Sequence, residues 1–172
     1  MPRSLLNTDL ELDLMLERVV PVPRHLVWAA WTQPEFLTKW FCPLPWKTTD
    51  CQIDLQPGGI FQTTMQGTEG PGFTNTGCWL QVIDNELLAW TDTLGPGFRP
   101  QPRETFAAVP FMMSTIIALE DVDGGTKYTA IARHGDVAAR EAHEQMAFHD
   151  GWGKALDQLV EHAQAGAFGP VA

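Results

Sequence analysis

The sequence predicts an α+β fold: a curved antiparallel sheet of about seven strands around one long C-terminal helix, with two short helices near the start. Three observations lead there. An alternating apolar and charged run occupies 10–20, further strand-like runs punctuated by Gly, Pro and Asn turns fill 47–134, and a helical apolar stripe covers 138–165. Only the last helix is long enough to cover one face of such a sheet. A chain of 172 residues suits a single domain, 1–172 with its core at about 10–165, and at that length roughly 70% of the unfolded surface can be buried.

Each element has its own warrant. Leu10, Leu12, Leu14 and Leu16 share one face of the first strand, and Glu11, Asp13 and Glu17 break the other. Pro21 and Pro23 end it, and Leu26, Val27, Ala30 and Trp31 fall at helical spacing, giving a helix from about Pro23 to Trp31. Thr32 has the character of an N-cap, with Pro34 and Glu35 in the first turn of a second helix ending near Trp40. FCPLPW at 41–46 contains two prolines and is a rigid connector that fixes Phe41 and Trp46.

Strands at 47–55 and 60–66 hinge on Pro57, Gly58 and Gly59, and strands at 73–83 and 87–94 pair across Asp84, Asn85 and Glu86. GPGFRPQPRE at 95–104 is too long for a tight turn and reads as a surface excursion of the kind that forms lids. Strands at 110–120 and 125–134 follow, joined by DVDGG.

Composition narrows the function. Net charge is -10, and the 11 Lys and Arg are scattered, so the counterion release that drives nucleic-acid binding has no source. No apolar stretch approaches the roughly 20 residues a membrane-spanning helix needs. The N-terminus lacks a secretory pattern, so a cytoplasmic location is expected. Cys42, Cys51 and Cys78 are odd in number without C-x-x-C spacing, and read as reduced, mostly buried thiols.

Several chemistries fail on spacing. In HEQMAFH, His143 and His149 are six residues apart, about 120° around a helix, where a zinc pair needs two His four apart on one face. His25, His134 and His162 lie on other elements, so no metal is expected. There is no G-x-S-x-G elbow and no phosphate loop, and no cofactor is implied.

What remains is a pocket. At about 100° per residue, one face of 138–165 collects Ala142, Met146, Trp152, Leu156, Leu159, Val160 and Ala163, and with them Glu141, Gln145 and His149. Inward polar side chains need partners, either backbone groups or a molecule in a cavity, and the former is the commoner case. Rings are plentiful besides. Trp40, Phe41, Trp46, Phe61, Trp79, Trp90, Phe111 and Trp152, with Met113, are candidate walls of an apolar ligand site.

At this point the chain resembles a family. RVVPVPRHLVWAAWTQPEFLTKWF, LQPGGIF, GCWLQVIDNELLAWTDT, the Gly-Gly-Thr turn before KYTAIARH, and HDGWGKALDQL are similar, in order, to the activator of heat-shock protein 90 ATPase homologue group of the START-like (SRPBCC) superfamily. The resemblance covers about 10–165. It implies the helix-grip (START/Bet v-like) fold and an apolar cavity between sheet and helix, and it carries no catalytic set. In this reading Trp31 and Pro34 fix the corner between the short helices, Gly58 and Gly59 supply a hairpin, and Gly151 and Gly153 bring the helix close to the sheet. The 95–103 insertion is a departure from the family, expected to shape or cover the pocket mouth.

The leading expectation is a non-enzymatic or cryptically enzymatic binding domain for a small, largely apolar molecule whose polar end meets Gln145 and His149. The first rival is a START-like enzyme of cyclase or hydrolase type with His149 as acid or base, helped by Glu141 or Tyr128. The second is an interaction protein: a homodimer stays open, and chaperone contact is disfavoured, because eukaryotic activators act through an additional domain that these residues lack.

Overall fold

The computed structural model describes residues 3–102, 104 and 110–170; Arg103, at the end of the predicted excursion, lies outside them. Strand β1 (Asp13–Val20) is followed by helices α1 (Arg24–Thr32) and α2 (Pro34–Leu37). Then come β2 (Lys47–Ile53), β3 (Ile60–Gln66), β4 (Phe73–Ile83) and β5 (Leu87–Thr91). Two short strands, β6 (Leu94–Gly95) and β7 (Arg99–Pro100), precede β8 (Met113–Val122) and β9 (Gly125–His134). Helices α3 (Val137–Gln145) and α4 (Phe148–Gln164) close the chain.

Seven strands form one antiparallel sheet in the order β1-β9-β8-β5-β4-β3-β2. Its inner face carries Phe61, Trp79, Leu88, Trp90, Ile117, Leu119, Tyr128 and Ala130, packed with Val27, Ala30 and Trp31 of α1 and Ala155, Leu156, Leu159 and Ala163 of α4. This is the helix-grip arrangement. The outer face has a smaller cluster, Leu87, Ala89, Ile116 and Ile131, against which Leu5 and Leu6 pack.

The sequence-predicted boundaries shift at four places, each for a local reason. The first strand begins at Asp13, because the Asp13 amide bonds the Asp9 carbonyl at 2.7 Å and turns Leu10 out to solvent. Thr32 does not cap α2; its hydroxyl donates back to Trp28 O at 2.8 Å, and Gln33 takes the cap position. Strand β5 stops at Thr91, and Asp92 turns its carboxylate toward the Met113 amide, which donates to it at 2.8 Å. The 95–104 excursion is folded back as the β6–β7 pair, held by Gln101 donating to Thr76 O and Asp92 O.

The largest correction concerns the terminal helix, which is two helices. Ala147 sits at φ 59°, ψ 50°, a left-handed residue between α3 and α4. Asp136 caps α3 by accepting the Ala139 amide at 2.8 Å, so α3 starts at Val137, three residues after β9 ends at His134. Helix α4 is anchored to the proline connector by Gln158, which donates to Trp40 O and Cys42 O and accepts from the Leu44 amide.

Of the predicted structural glycines, Gly58 has φ +79°, and a Cβ at Gly59 would lie 2.1 Å from Asp54 O, so the hairpin needs both. Gly151 and Gly153 are different. A Cβ there would meet its nearest neighbour at 4.0 Å, so no close approach of helix and sheet demands them.

Candidate functional site

Between the inner face of the sheet and the α3–α4 junction lies a pocket of ≈ 280 Å³. Two clusters of rings flank it. In the first, Trp31 meets Trp40 and Phe41, Phe41 meets Phe61, and Phe61 meets Trp79 and Trp90, with ring centroids between 4.5 and 6.0 Å apart. In the second, His143 stacks on Phe111 at 4.3 Å and meets His134, Phe148 and Trp152 edge-on.

The sequence brings the second cluster together through two periodicities. Tyr128, Ala130, Ala132 and His134 are alternate residues of β9, placing His134 at the end of the inner row. Three residues later α3 begins, turns back against β9, and sets His143 over it. The His134 ring bonds Leu12 O through Nδ1 at 2.9 Å and the His143 Nδ1 through its own Nε2 at 2.9 Å. Both imidazoles are buried. Burial, with the neighbouring His134 second, pushes His143 down to about 3, so this ring is neutral at physiological pH.

The pocket wall is otherwise nearly apolar, and no Lys, Arg, Asp or Glu lines it among the described residues. Three residues of this wall carry a buried polar atom without a hydrogen-bond partner among the described residues, Trp31 Nε1, Trp90 Nε1 and Asn75 Oδ1, the Trp31 indole lying beside the Tyr128 phenol. Tyr128 also lines it, and burial raises its phenol, keeping it protonated.

Trp40, Phe41, Trp90, Phe111, Met113 and Trp152, predicted as walls, do line this space. Phe61 and Trp79 stand behind it, in the core. Trp46 is exposed and lies against Phe73 and over Gly67. Gln145 and His149, and with them Glu141, are corrected outright: all three are exposed. The Ala147 kink resets the helical phase, so one 100° wheel cannot describe both halves. His149 instead contacts Met15 O through Nε2 at 3.1 Å, on the outside of β1. The described residues of 95–104 do not line the pocket.

Sequence reasoning missed His143, Asn75, Met65, Trp31 and Phe148 as lining residues. For His143 a signal existed: an inner-face His134 at a strand end, a capping Asp136, and a helix folding straight back. For Asn75 none did, since a lone Asn in a strand has many explanations.

Elsewhere the chemistry is quiet. Burial raises the thiols of Cys42 and Cys78, and that of Cys51 to about 12. No group of three potential metal ligands exists among the described residues. A larger groove of ≈ 440 Å³ on the outer face, between Leu5, Thr93 and Arg133, has no Trp, Tyr or Phe among the described residues of its wall. No helix among the described residues is long and apolar enough to cross a membrane.

Comparison with known proteins fits this geometry. The family described as Activator of Hsp90 ATPase homolog 1-like protein matches residues 21–164. The chain belongs to this family, and so to the START-like superfamily. A solved structure of a protein from Nitrosomonas europaea is 45% identical, covers 93% of this chain and 99% of its own, and superposes with a TM-score of 0.86. An AHSA1-like protein from Aeromonas hydrophila, 20% identical over 91% of this chain and 94% of its own, has a TM-score of 0.66 and speaks to the fold alone. A Rhodobacter sphaeroides protein at 20% identity, covering 90% and 93%, gives 0.75. No curated protein matches.

Proposed function

We propose that this family member is a binding domain for a small, mostly apolar molecule held between the sheet and the α3–α4 junction. The observation that carries the reading is the ring-walled, nearly apolar pocket with the buried His143 imidazole in its wall. Apolar walls with a few convergent polar groups are the usual composition of small-molecule sites. The net charge of -10 supports a partner that is neither nucleic acid nor an anionic surface.

An enzyme would have to use His143, the imidazole in the pocket, rather than His149. The His134–His143 bond has the form of a base with its orienting partner. A ring held near 3 is a weak base at neutral pH, which favours orientation of a ligand over proton abstraction.

Gly151 lines the pocket and a Cβ there would meet its nearest neighbour only at 4.0 Å, so Gly151→Phe is the substitution chosen to occupy the space. Calorimetric titration with 1-naphthol should show binding to the native chain and at least a tenfold loss in G151F. Equal affinity in the two proteins would refute the reading.

A further inference from the structure

Hydrogen-bond bookkeeping determines which way the imidazole pair presents itself to the pocket. The Leu12 carbonyl can only accept, so His134 Nδ1, 2.9 Å away, carries the proton of that bond. In a neutral His134 the other nitrogen, Nε2, is then a bare lone pair. Its neighbour at 2.9 Å, His143 Nδ1, must be the donor. A neutral His143 with its proton on Nδ1 has a lone pair on Nε2, the nitrogen turned away from His134. No described residue bonds that nitrogen, and His143, unlike His134, lines the pocket.

We infer that His143 Nε2 is a fixed hydrogen-bond acceptor for the ligand, with His134 as the positioning residue that locks its tautomer, and that the site selects neutral ring-sized molecules bearing one hydroxyl or N–H. This rests on the pocket being the binding site. The wall supports the same class by what it lacks. With no Lys or Arg among the described residues lining it, a carboxylate or phosphate would face a lone pair without compensation, and with no Asp or Glu among them a cationic amine would lack a counter-charge. Stacking of His143 on Phe111 at 4.3 Å, and its edge contacts with Phe148 and Trp152, hold the ring plane so the lone pair keeps one direction.

Two measurements test it. Long-range proton–nitrogen NMR of the native chain at pH 7.5 should find both His134 and His143 as Nδ1–H tautomers; an Nε2–H tautomer at His143 overturns the inference. Titration with 1-naphthol, naphthalene and 1-naphthoate should rank naphthol first, roughly five- to thirtyfold tighter than naphthalene. His143→Phe should bring the naphthol-to-naphthalene affinity ratio to about one, and His134→Phe should reduce it. His134→Gln should restore part of it, because its amide can both donate to Leu12 O and accept from His143. Equal affinity for naphthol and naphthalene, or a preference that survives H143F, sinks the acceptor role and leaves the pocket standing. No binding of any probe, or binding that G151F does not touch, removes the pocket reading and this one with it.

Discussion

The two ring clusters beside the pocket are equally dense, with centroids 4.5–6.0 Å apart in one and 4.3–6.1 Å in the other, yet they are built differently. The first, from Trp31 to Trp90, joins α1, the proline connector and strands already locked by the sheet ladder. The second, around His143, gathers residues from the start of β8, the end of β9, and two helices that meet at a left-handed alanine. Among the described residues no ring pair spans from one cluster to the other. The hollow is therefore a seam between two cores that each satisfy themselves, and its few polar atoms sit where they face each other.

That contrast can be broken first by truncation. Phe61→Ala, deep in the first cluster, should cost about 3–5 kcal/mol in chemical denaturation, because its neighbours cannot collapse into the void. Phe111→Ala should cost less than about half as much, since the space it vacates merges with a hollow that already exists. Equal losses would erase the distinction between interlocked and seam-lining rings.

Acidity separates two buried groups with opposite signs. Asp92 is held by burial at about 6, above the ordinary 3.8, so the stability it contributes is present below about pH 4 and lost as pH rises through 6. His143 is held at about 3, below 6.5, so its contribution is present above 6.5 and lost as pH falls toward 3. Asp92→Asn, which keeps an acceptor for the Met113 amide, should stabilise the chain by about 2–3 kcal/mol above pH 6 and do little at pH 4. H143F should flatten the acid side relative to the native chain. Thermal unfolding of the three proteins from pH 4 to 8 reads both slopes, and parallel curves would show that neither group titrates as placed.

The smallest effect probes the junction itself. Ala147 at φ 59° is a conformation glycine adopts freely, so Ala147→Gly should stabilise by about 0.5–1 kcal/mol, where glycine inside a continuous helix would destabilise by a similar amount. The sign of the change in melting temperature decides between two helices and one.

The same residue marks the limit of what the sequence reveals. The sheet, its hairpins at Gly58-Gly59 and Asp84–Glu86, and the ring walls follow from alternation and turn chemistry, which are local and strong. The break at Met146-Ala147-Phe148 contains no Gly, Pro or Asn, and tertiary packing of Phe148 and His143 on the sheet imposes it against local preference. A helical wheel drawn through it assigns Gln145 and His149 inward when both are exposed. His143 becomes legible only when the inner row of β9 is followed to His134 and the next helix is folded back upon it.

The most direct test of the binding claim is to follow the indole Nε1–H resonances of the seven tryptophans during titration with 1-naphthol. Trp31, Trp40, Trp90 and Trp152 line the pocket and should shift, while Trp28, Trp46 and Trp79 stay still. Movement of Trp46 or Trp28 with Trp90 silent would contradict the assignment of the site.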